Sequence, residues 1–290
     1  MTAINTNVSA PAVTFENVTK LPLFGPDNMP TGLYGIFRDS NGELANRSSV
    51  TGRYVPHQGD DVAAMVDGAT AVMGGCDIQS LFDCGHYVNL APTIAQRHAI
   101  YGTADNVFPR INISAGYDGK SFKATMGYYR DACQNMAMLR SVRETVVTIR
   151  HTSGLRDKMD SLIEQFQTLK ESWGSLTAMI DSMESREVVL ADFLNEIYGD
   201  TPTEEGSKLT RHKNRTEAIF QRIIRERSTT GRPAFNGGPV RVSYWEAFNG
   251  VQGYVQHQKS RKHNPSSLER AVAAYSDPAV LRAESLALAA

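Results

Sequence analysis

The chain has 290 residues, of which 41% are hydrophobic and 21% charged, with a formal net charge of −1. These values are ordinary for a globular protein with an ample core, and they exclude a protein that is polycationic as a whole. No apolar run approaches the roughly 18 residues that a membrane-spanning helix needs, and the N-terminal residues lack a secretory signal pattern. Three cysteines, Cys76, Cys84 and Cys133, favour a reducing cytoplasm without a disulfide framework.

Charge is segregated along the chain. Residues 110–150 contain seven Lys/Arg and three Asp/Glu, a net charge of +4. Residues 155–205 have a net charge of −8, and residues 206–270 have a net charge of +9. This arrangement indicates either internal charge complementarity or an anionic partner for the basic segments.

The N-terminal third has clear turn and helix signals. The first 30 residues are polar, contain Pro22, Pro26 and Pro30 and are predicted to be a flexible arm. Asn41 and Gly42 form a typical hairpin turn. A helix is predicted from residue 59 and ends at Gly74 and Gly75, with one apolar stripe formed by Val62, Met65, Val66 and Ala69.

A second hairpin is predicted around residues 110–126, with Asp118 and Gly119 in its turn. Its inner face has Ile111, Ile113, Phe122, Ala124 and Met126. Its outer face has Arg110, Asn112, Ser114, Ser121, Lys123 and Thr125. The second strand is expected to continue into a helix from about residue 130 to 142.

The most regular pattern is a heptad seam on a predicted helix of about 30 residues. We favour a helical hairpin within the chain as its packing partner, with a neighbouring subunit as the alternative. A shorter helix (186–198) and two basic helices (208–228 and 240–263) follow. The seam residues are Leu155, Met159, Leu162, Phe166, Leu169, Trp173, Leu176, Ile180 and Met183.

These elements predict an α+β fold, with antiparallel β-hairpins packed with helices, followed by a mostly helical C-terminal half with the long heptad helix. The predicted regions are an N-terminal arm (1–30), an α+β core domain (31–150), a helical region (151–275) and a C-terminal tail (276–290).

Signals for catalysis are weak. The chain has no P-loop, dinucleotide fingerprint, HExxH pair or G-x-S-x-G elbow. Cys76, Cys84 and His86 have an uncommon zinc spacing without a fourth ligand, so buried thiols are the preferred interpretation. We therefore expect no enzymatic activity, no metal site and no cofactor.

A binding surface is the better-supported interpretation. Single-stranded nucleic acid is bound by cations along its phosphates and by planar side chains that stack on its bases. Tyr117, Tyr128 and Tyr129 lie at the ends of the second hairpin, although a tyrosine there can instead close the edge of the core, which is the interpretation we favour for Tyr128. The first hairpin could contribute Arg38, Arg47 and Arg53. The candidate phosphate contacts are Arg110, Lys120, Lys123, Arg130, Arg140, Arg211, Lys213 and Arg215.

The order of short motifs resembles a phage- and plasmid-encoded family of unknown function, over roughly residues 30–260. The matching residues are Tyr54, Pro56 and Gln58 of a Y-x-P-x-Q segment; Ser114, Asp118, Gly119 and Ser121 of a turn; Cys133, Gln134 and Asn135; Arg150, His151, Thr152 and Gly154; and Trp245, Asn249, Val251, Tyr254, Val255 and His257. The arginine that usually precedes the Cys-Gln-Asn segment has only Arg130 as a counterpart. The hairpin, strands and helix are also similar to the core of phage single-strand annealing proteins, which implies oligomers that bind DNA in a basic groove.

From these observations we expect a phage-type protein of the bacterial cytoplasm that binds and anneals single-stranded DNA in recombination or replication. Homo-oligomers are expected, with the heptad helix as candidate interface, and a phage exonuclease or single-strand-binding protein is a possible partner. The alternative is a non-enzymatic phage protein that binds a host or defence protein through the acidic heptad helix.

Overall fold

A computed structural model describes residues 15–45, 48–82, 87–93, 97–102, 104–114, 116–117, 121–137, 146–149, 162–260, 267–274 and 276–289. The predicted α+β class is confirmed, because antiparallel sheets pack against helices throughout them.

The main sheet is antiparallel and has the strand order β3-β4-β6-β7-β8, with β5 paired to β6 and β9 paired to β7. Along β6, alternate residues from Val107 to Ile113 are buried, as expected for a sheet with one face on a core, whereas residues 124–128 of β7 are all buried. The strands are β3 Cys76–Phe82, β4 Tyr87–Pro92, β5 His98–Tyr101, β6 Asp105–Ser114, β7 Phe122–Arg130, β8 Asn135–Ala137 and β9 Val146–Ile149.

The predicted helix from residue 130 is wrong where the structure describes it. β7 continues to Arg130, a tight turn follows over residues 131–134, and β8 returns beside β7. Gln134 has a positive φ of 55°, a left-handed conformation that ends regular structure. The rest of that predicted helix, residues 138–142, lies outside the described residues.

A separate hairpin precedes the main sheet. β1 (Val18–Phe24) and β2 (Pro30–Arg38) pair antiparallel, with a register shift between Pro22 and Phe24, so residues 18–24 of the expected arm form a strand. The turn predicted at Asn41 and Gly42 follows β2, with Gly42 at a φ of 71°. One face of the hairpin packs on a small second core of Val18, Ile36, Ala45, Val50, Tyr54 and Tyr117.

The first helix, α1 (Gly59–Met73), is confirmed. Its predicted stripe is buried in the main core, and Gly74 ends it in the left-handed conformation that glycine adopts without strain. At its start, the Asp61 carboxylate accepts a hydrogen bond from the Gln58 backbone N–H at 2.7 Å, completing a capping box.

The heptad seam lies on α2 (Leu162–Glu184), and its first residues fall outside the described part of the chain. The seam is buried against α1, the main sheet and the C-terminal helices of the same chain. Between Phe166 and Met183 it is therefore occupied within the chain and is not exposed to a second subunit. The buried seam residues there are Phe166, Leu169, Trp173, Leu176, Ile180 and Met183.

The remaining helices complete the same core. One hydrophobic cluster contains side chains from α1, the main sheet, α2 and every later helix, so the two predicted regions on either side of residue 150 share it. Val280, Ala283 and Ala287 of the predicted tail are buried in it as well. The later elements are β10 Glu187–Val189, α3 Leu190–Tyr198, α4 Ser207–Thr230, β11 Arg241–Ser243, α5 Tyr244–Gly253, α6 Ser267–Ala274 and α7 Pro278–Ala289.

Candidate nucleic-acid interface

The outer face of the β6–β7 pair is polar, as predicted. We use "outer face" for the side chains that point away from the main core: Phe108, Arg110, Asn112, Ser114, Lys123, Thr125, Gly127 and Tyr129. Their neighbours Ile111, Ile113, Ala124 and Met126 are buried, which confirms the predicted inner face at these four positions. Lys123 is exposed, and Thr125 and Gly127 are buried. None of these eight described positions is an acidic residue.

Arg110 and Tyr129 form a stacked pair on this face. The Arg110 guanidinium lies 5.0 Å from the centre of the Tyr129 ring and donates a hydrogen bond to the Pro109 carbonyl at 2.9 Å. Both side chains are half-buried. Burial lowers the pKa of Arg110; burial, with the Asp131 carboxylate in the next turn, raises the pKa of Tyr129. At neutral pH the pair is a cation on a neutral phenol.

Arg110 and Lys123 are not a cross-strand pair. The register places Arg110 opposite Gly127 and Lys123 opposite Ser114. The two cations are thus separated by four residues along the sheet, or about 13 Å at the usual rise per residue. They mark two points along the outer face rather than one site.

Arg130, another predicted phosphate contact, lies on the opposite side of β7 in the core. Its side chain is 1% exposed and binds two carboxylates, Asp105 at 2.7 Å and Glu226 at 2.6 Å. A phosphate would have to displace both, so we leave Arg130 out of the interface. Lys120 and Arg140 lie outside the described residues.

Arg130 is the centre of a buried charge cluster, formed by Asp105, Glu184, Arg222, Glu226 and Arg232 together with Arg130. Arg232 bridges Asp105 at 3.0 Å and Glu184 at 2.6 Å. Arg222 lies 2.8 Å from Glu226, one helical turn further along α4. The cluster connects β6, β7, α2 and α4, because each of these elements contributes at least one of the charged side chains in its ion pairs.

The ion pairs of the cluster shift the pKa of Asp105 and of Arg130 in the directions that keep both charged. Burial alone would raise the pKa of Asp105, but the Arg130 and Arg232 guanidinium groups lower it. Burial alone would lower the pKa of Arg130, and the carboxylates of Glu226 and Asp105 raise it. Buried charges that are paired in this way are costly to separate.

Sequence reasoning missed this cluster, although one signal was present. Ile219, Ile223, Glu226 and Thr230 follow the helical spacing of the buried stripe on α4, and all four are buried. A carboxylate on such a stripe requires a buried cationic partner. The sequence does not show which arginine that partner is.

Asn135 connects two of the motifs that carry the family resemblance. Its Nδ2 donates to the Asn249 carbonyl at 3.2 Å, while its Oδ1 accepts from Arg222 at 3.1 Å and lies 3.1 Å from His257 Nε2. Because that oxygen is an acceptor, His257 carries its proton on Nε2. The Cys-Gln-Asn segment and the C-terminal motif, far apart in sequence, therefore meet here.

His257 and Cys133, both close to Asn135, are neutral at physiological pH. Partial burial and the charges of Arg222 and Arg270 lower the pKa of His257 to about 4. Burial raises the pKa of the Cys133 thiol to about 11. Arg222 also donates to the Cys133 carbonyl at 2.9 Å. These properties fit a closed polar junction between β8, α4 and α5.

The basic helix α4 places its predicted contacts on different sides. Arg211 and Lys213 are exposed, and the half-buried Arg215 stacks over the Tyr198 ring at 3.8 Å. Arg211 and Lys213 are two residues apart, so they point about 200° apart around the helix. In the first hairpin, Arg53 is exposed, whereas Arg38 pairs with Glu16 at 2.8 Å. Arg47 lies outside the described residues.

The described part of the chain contains neither a cluster of metal-ligating residues nor a helix that could cross a membrane. No group of three or more His, Cys, Asp or Glu residues there is placed to bind a metal ion. No described helix is both long and apolar enough to cross a membrane. Cys76 lies at the start of β3, where burial raises its pKa; Cys84 and His86 fall outside the described residues.

The fold and the site define a class: an α+β protein with one antiparallel main sheet, a polar outer face and a buried charge cluster that joins the sheet to its helices. The chain belongs to the family described as Domain of unknown function (DUF932), whose model matches residues 47–283. Comparison with curated proteins and with solved structures finds no match. The matched range contains the outer face and the cluster, while β1 and β2 precede it.

Proposed function

We propose that this chain is a phage-type protein that binds and anneals single-stranded DNA, in recombination or replication in the cytoplasm of a bacterial host, without bond chemistry. The resemblance to a phage- and plasmid-encoded family and to single-strand annealing proteins supports the setting. The observation that carries the proposal is the outer face, where Arg110, Tyr129 and Lys123 lie on a rigid sheet with no carboxylate among its described positions.

The mechanism is electrostatic and geometric. Arg110 and Lys123 neutralise phosphates, and Tyr129 offers a ring on which a base stacks. The roughly 13 Å between the two cations corresponds to about four nucleotides at the stacked rise of ~3.4 Å. The sheet is backed by the main core, so the contacts are already in place before DNA binds.

The basic helix α4 supplies a second set of contacts in this proposal. Arg211 and Lys213 are exposed near its N-terminus. Because they point in different directions, we expect one of them to contact the same DNA strand and the other to contact a second strand or solvent. Arg215 is engaged with Tyr198 and contributes less.

Annealing requires two strands to be presented together, and we propose that several copies of the chain do this, so that weak contacts act in concert. A phage exonuclease or single-strand-binding protein would supply the strands. The interface between copies lies elsewhere than the described part of the heptad seam, since that seam is buried within the chain.

Fluorescence anisotropy with a labelled single-stranded oligonucleotide, over a salt series and beside duplex DNA, tests the proposal. We expect preferential single-strand binding that weakens as salt increases. The double variant Arg110→Ala, Lys123→Ala removes two phosphate contacts. The slope of log K against log salt should therefore become shallower by about 1.4.

A matched control removes two cations elsewhere. Lys170 and Arg282 are exposed on α2 and α7, so Lys170→Ala, Arg282→Ala changes the net charge equally while leaving the outer face intact. The control should keep the affinity and salt slope of the parent protein. Absence of binding at low salt, or equal losses in both double variants, would contradict the proposal.

A further inference from the structure

The β1–β2 hairpin has a second apolar face that nothing in the described chain covers. Leu21, Leu33, Gly35, Phe37 and Leu44 share this side of the hairpin. Leu21, Leu33 and Leu44 are 45%, 42% and 48% exposed. We call these five residues the apolar hairpin face. Exposed apolar clusters of this kind mark interaction sites in natural proteins.

The apolar hairpin face has a defined shape. A Cβ atom built on Gly35 would lie 2.8 Å from the Phe37 ring and 3.0 Å from a Leu44 methyl group. These two side chains therefore close over the glycine and form a continuous apolar surface. Phe24 and Met29, 57% and 67% exposed, extend the apolar character towards the tip.

The hairpin is fixed in place by its opposite side. The Val18 backbone exchanges two hydrogen bonds with the Gln58 side chain, at 3.0 and 3.1 Å. Lys20 donates to the carbonyls of Gly52 and Tyr54, both at 2.8 Å. The apolar hairpin face is thus presented rigidly, which lowers the entropic cost of binding a partner.

The open edge of the hairpin is poorly suited to strand addition. The Val18 backbone N–H points away from β2 and donates to the Gln58 side chain. Pro22, four residues further along β1, therefore also faces away from β2, and it has no N–H to donate to another strand. Proline at an edge strand blocks pairing with another strand. The face, rather than the edge, is the surface left for a partner.

Charge selects the kind of partner. None of the five residues of the apolar hairpin face is a cation. Exposed carboxylates lie at the two ends of this face, with Asp39 directly after β2 and Asp27 at the tip of the hairpin. The two cations of the hairpin are engaged elsewhere: Arg38 with Glu16, and Lys20 on the opposite side. A segment with apolar side chains flanked by Lys or Arg complements this surface.

We propose that the apolar hairpin face binds a basic amphipathic segment of another protein, one in which apolar residues alternate with or are flanked by Lys or Arg. This surface precedes the family-matched range and is separate from the outer face of the β6–β7 pair. The inference therefore does not depend on the nucleic-acid proposal.

The test uses the full chain and a short fluorescein-labelled peptide of alternating leucine and lysine, with a leucine–glutamate peptide of the same length. We expect the lysine peptide to bind more tightly. Leu21→Ser, Leu33→Ser should weaken its binding by at least about tenfold, because both leucines are exposed and contribute to the contact. Single-stranded DNA binding by that variant should be unchanged.

Val55→Ser is the matched control, since Val55 is an exposed apolar residue outside the apolar hairpin face. It should leave peptide binding unchanged. The proposal is overturned if neither peptide binds, if the glutamate peptide binds as well as the lysine peptide, or if the leucine variant binds normally. Sedimentation that shows self-association lost only in the leucine variant would assign the surface to a second copy and overturn it too.

Discussion

The Arg130 guanidinium binds the Asp105 carboxylate through two parallel hydrogen bonds, from Nε to Oδ1 at 2.7 Å and from Nη2 to Oδ2 at 2.9 Å. Asp105 begins β6 and Arg130 ends β7, so this pair fastens the open end of the hairpin that carries the outer face. A third ligand, Glu226, fastens the same guanidinium to α4. The outer face is therefore held from behind by charge as well as by apolar packing.

Replacing Arg130 should be severe for stability. Arg130→Gln leaves Asp105 and Glu226 with one cationic partner fewer in a buried site, and breaking such a pair typically costs about 3–5 kcal/mol. Equilibrium urea unfolding would measure the loss. Arg130→Lys should recover only part of it, because a lysine cannot bind one carboxylate through two parallel hydrogen bonds.

Arg110→Gln is the comparison for that experiment, since Arg110 is half-buried on the outer face without an ion pair among the described residues. It should change the free energy of unfolding by no more than about 1 kcal/mol. If Arg110→Gln were as destabilising as Arg130→Gln, the buried cluster would not be the stabilising element proposed here.

The hairpin shows how far sequence alone reaches. Alternation predicted correctly that Ile111, Ile113, Ala124 and Met126 are buried, because a period of two follows directly from strand geometry. It was wrong for Thr125, which was predicted on the outer face and is buried. The same alternation places Arg130 on the inner side with Tyr128, yet a cation there was interpreted as a phosphate contact. The carboxylates that bind it are 25 and 96 residues away in sequence, and local patterns contain no information on such distant pairs.

Tyr129 provides a test of base stacking that is independent of charge. Tyr129→Ala removes the ring next to Arg110, and stacking of a base on an aromatic side chain is worth about 1–3 kcal/mol. Affinity for single-stranded DNA should decrease by that amount, with little change in the salt slope. Anisotropy titrations at two salt concentrations separate the two effects.

Tyr129→Phe keeps the ring and should bind single-stranded DNA nearly as well as the parent. A loss as large as that of Tyr129→Ala would assign the contribution to the phenol hydroxyl and contradict stacking.

His257 should titrate far below its usual range. Its pKa of about 4 arises from partial burial and from the Arg222 and Arg270 charges. Since the unfolded chain has a histidine pKa near 6.5, the unfolded state binds a proton first as the pH falls. Stability should therefore decrease between about pH 6.5 and pH 4 through this residue, and be independent of it above that window.

Histidine proton resonances followed by NMR over this pH range give the pKa directly. Arg222→Gln should raise the pKa of His257 by removing one of the two neighbouring charges, provided that the folded spectrum is retained. A His257 pKa near 6.5 in the parent protein would mean that the ring is not held against Asn135.

The C-terminal helices illustrate a second limit of sequence reasoning. The basic segment 208–228 was predicted to be helical, and α4 confirms this. The predicted helix 240–263 is wrong at its start, because residues 241–243 form β11 and α5 begins at Tyr244. The mutual packing of α4 and α5 could not be predicted, because it depends on which positions of each helix meet. Gly250 in α5 lies directly against Ile219 and Ile223 of α4, a close approach that only a residue without a Cβ permits.

Because of this close approach, replacing Gly250 by alanine should change the free energy of unfolding in the opposite direction from the same replacement at Gly174. A Cβ at Gly250 would lie 2.8 Å from the Ile223 side chain, so Gly250→Ala should destabilise the protein by about 1–3 kcal/mol through overpacking. Gly174 on α2 has no atom within 4 Å of the corresponding position. Gly174→Ala should therefore stabilise by about 0.5–1 kcal/mol, the ordinary difference in helix propensity. Thermal and urea unfolding of the two variants, measured beside the parent, test both signs. Stabilisation by Gly250→Ala would show that α4 and α5 are further apart than the structure places them.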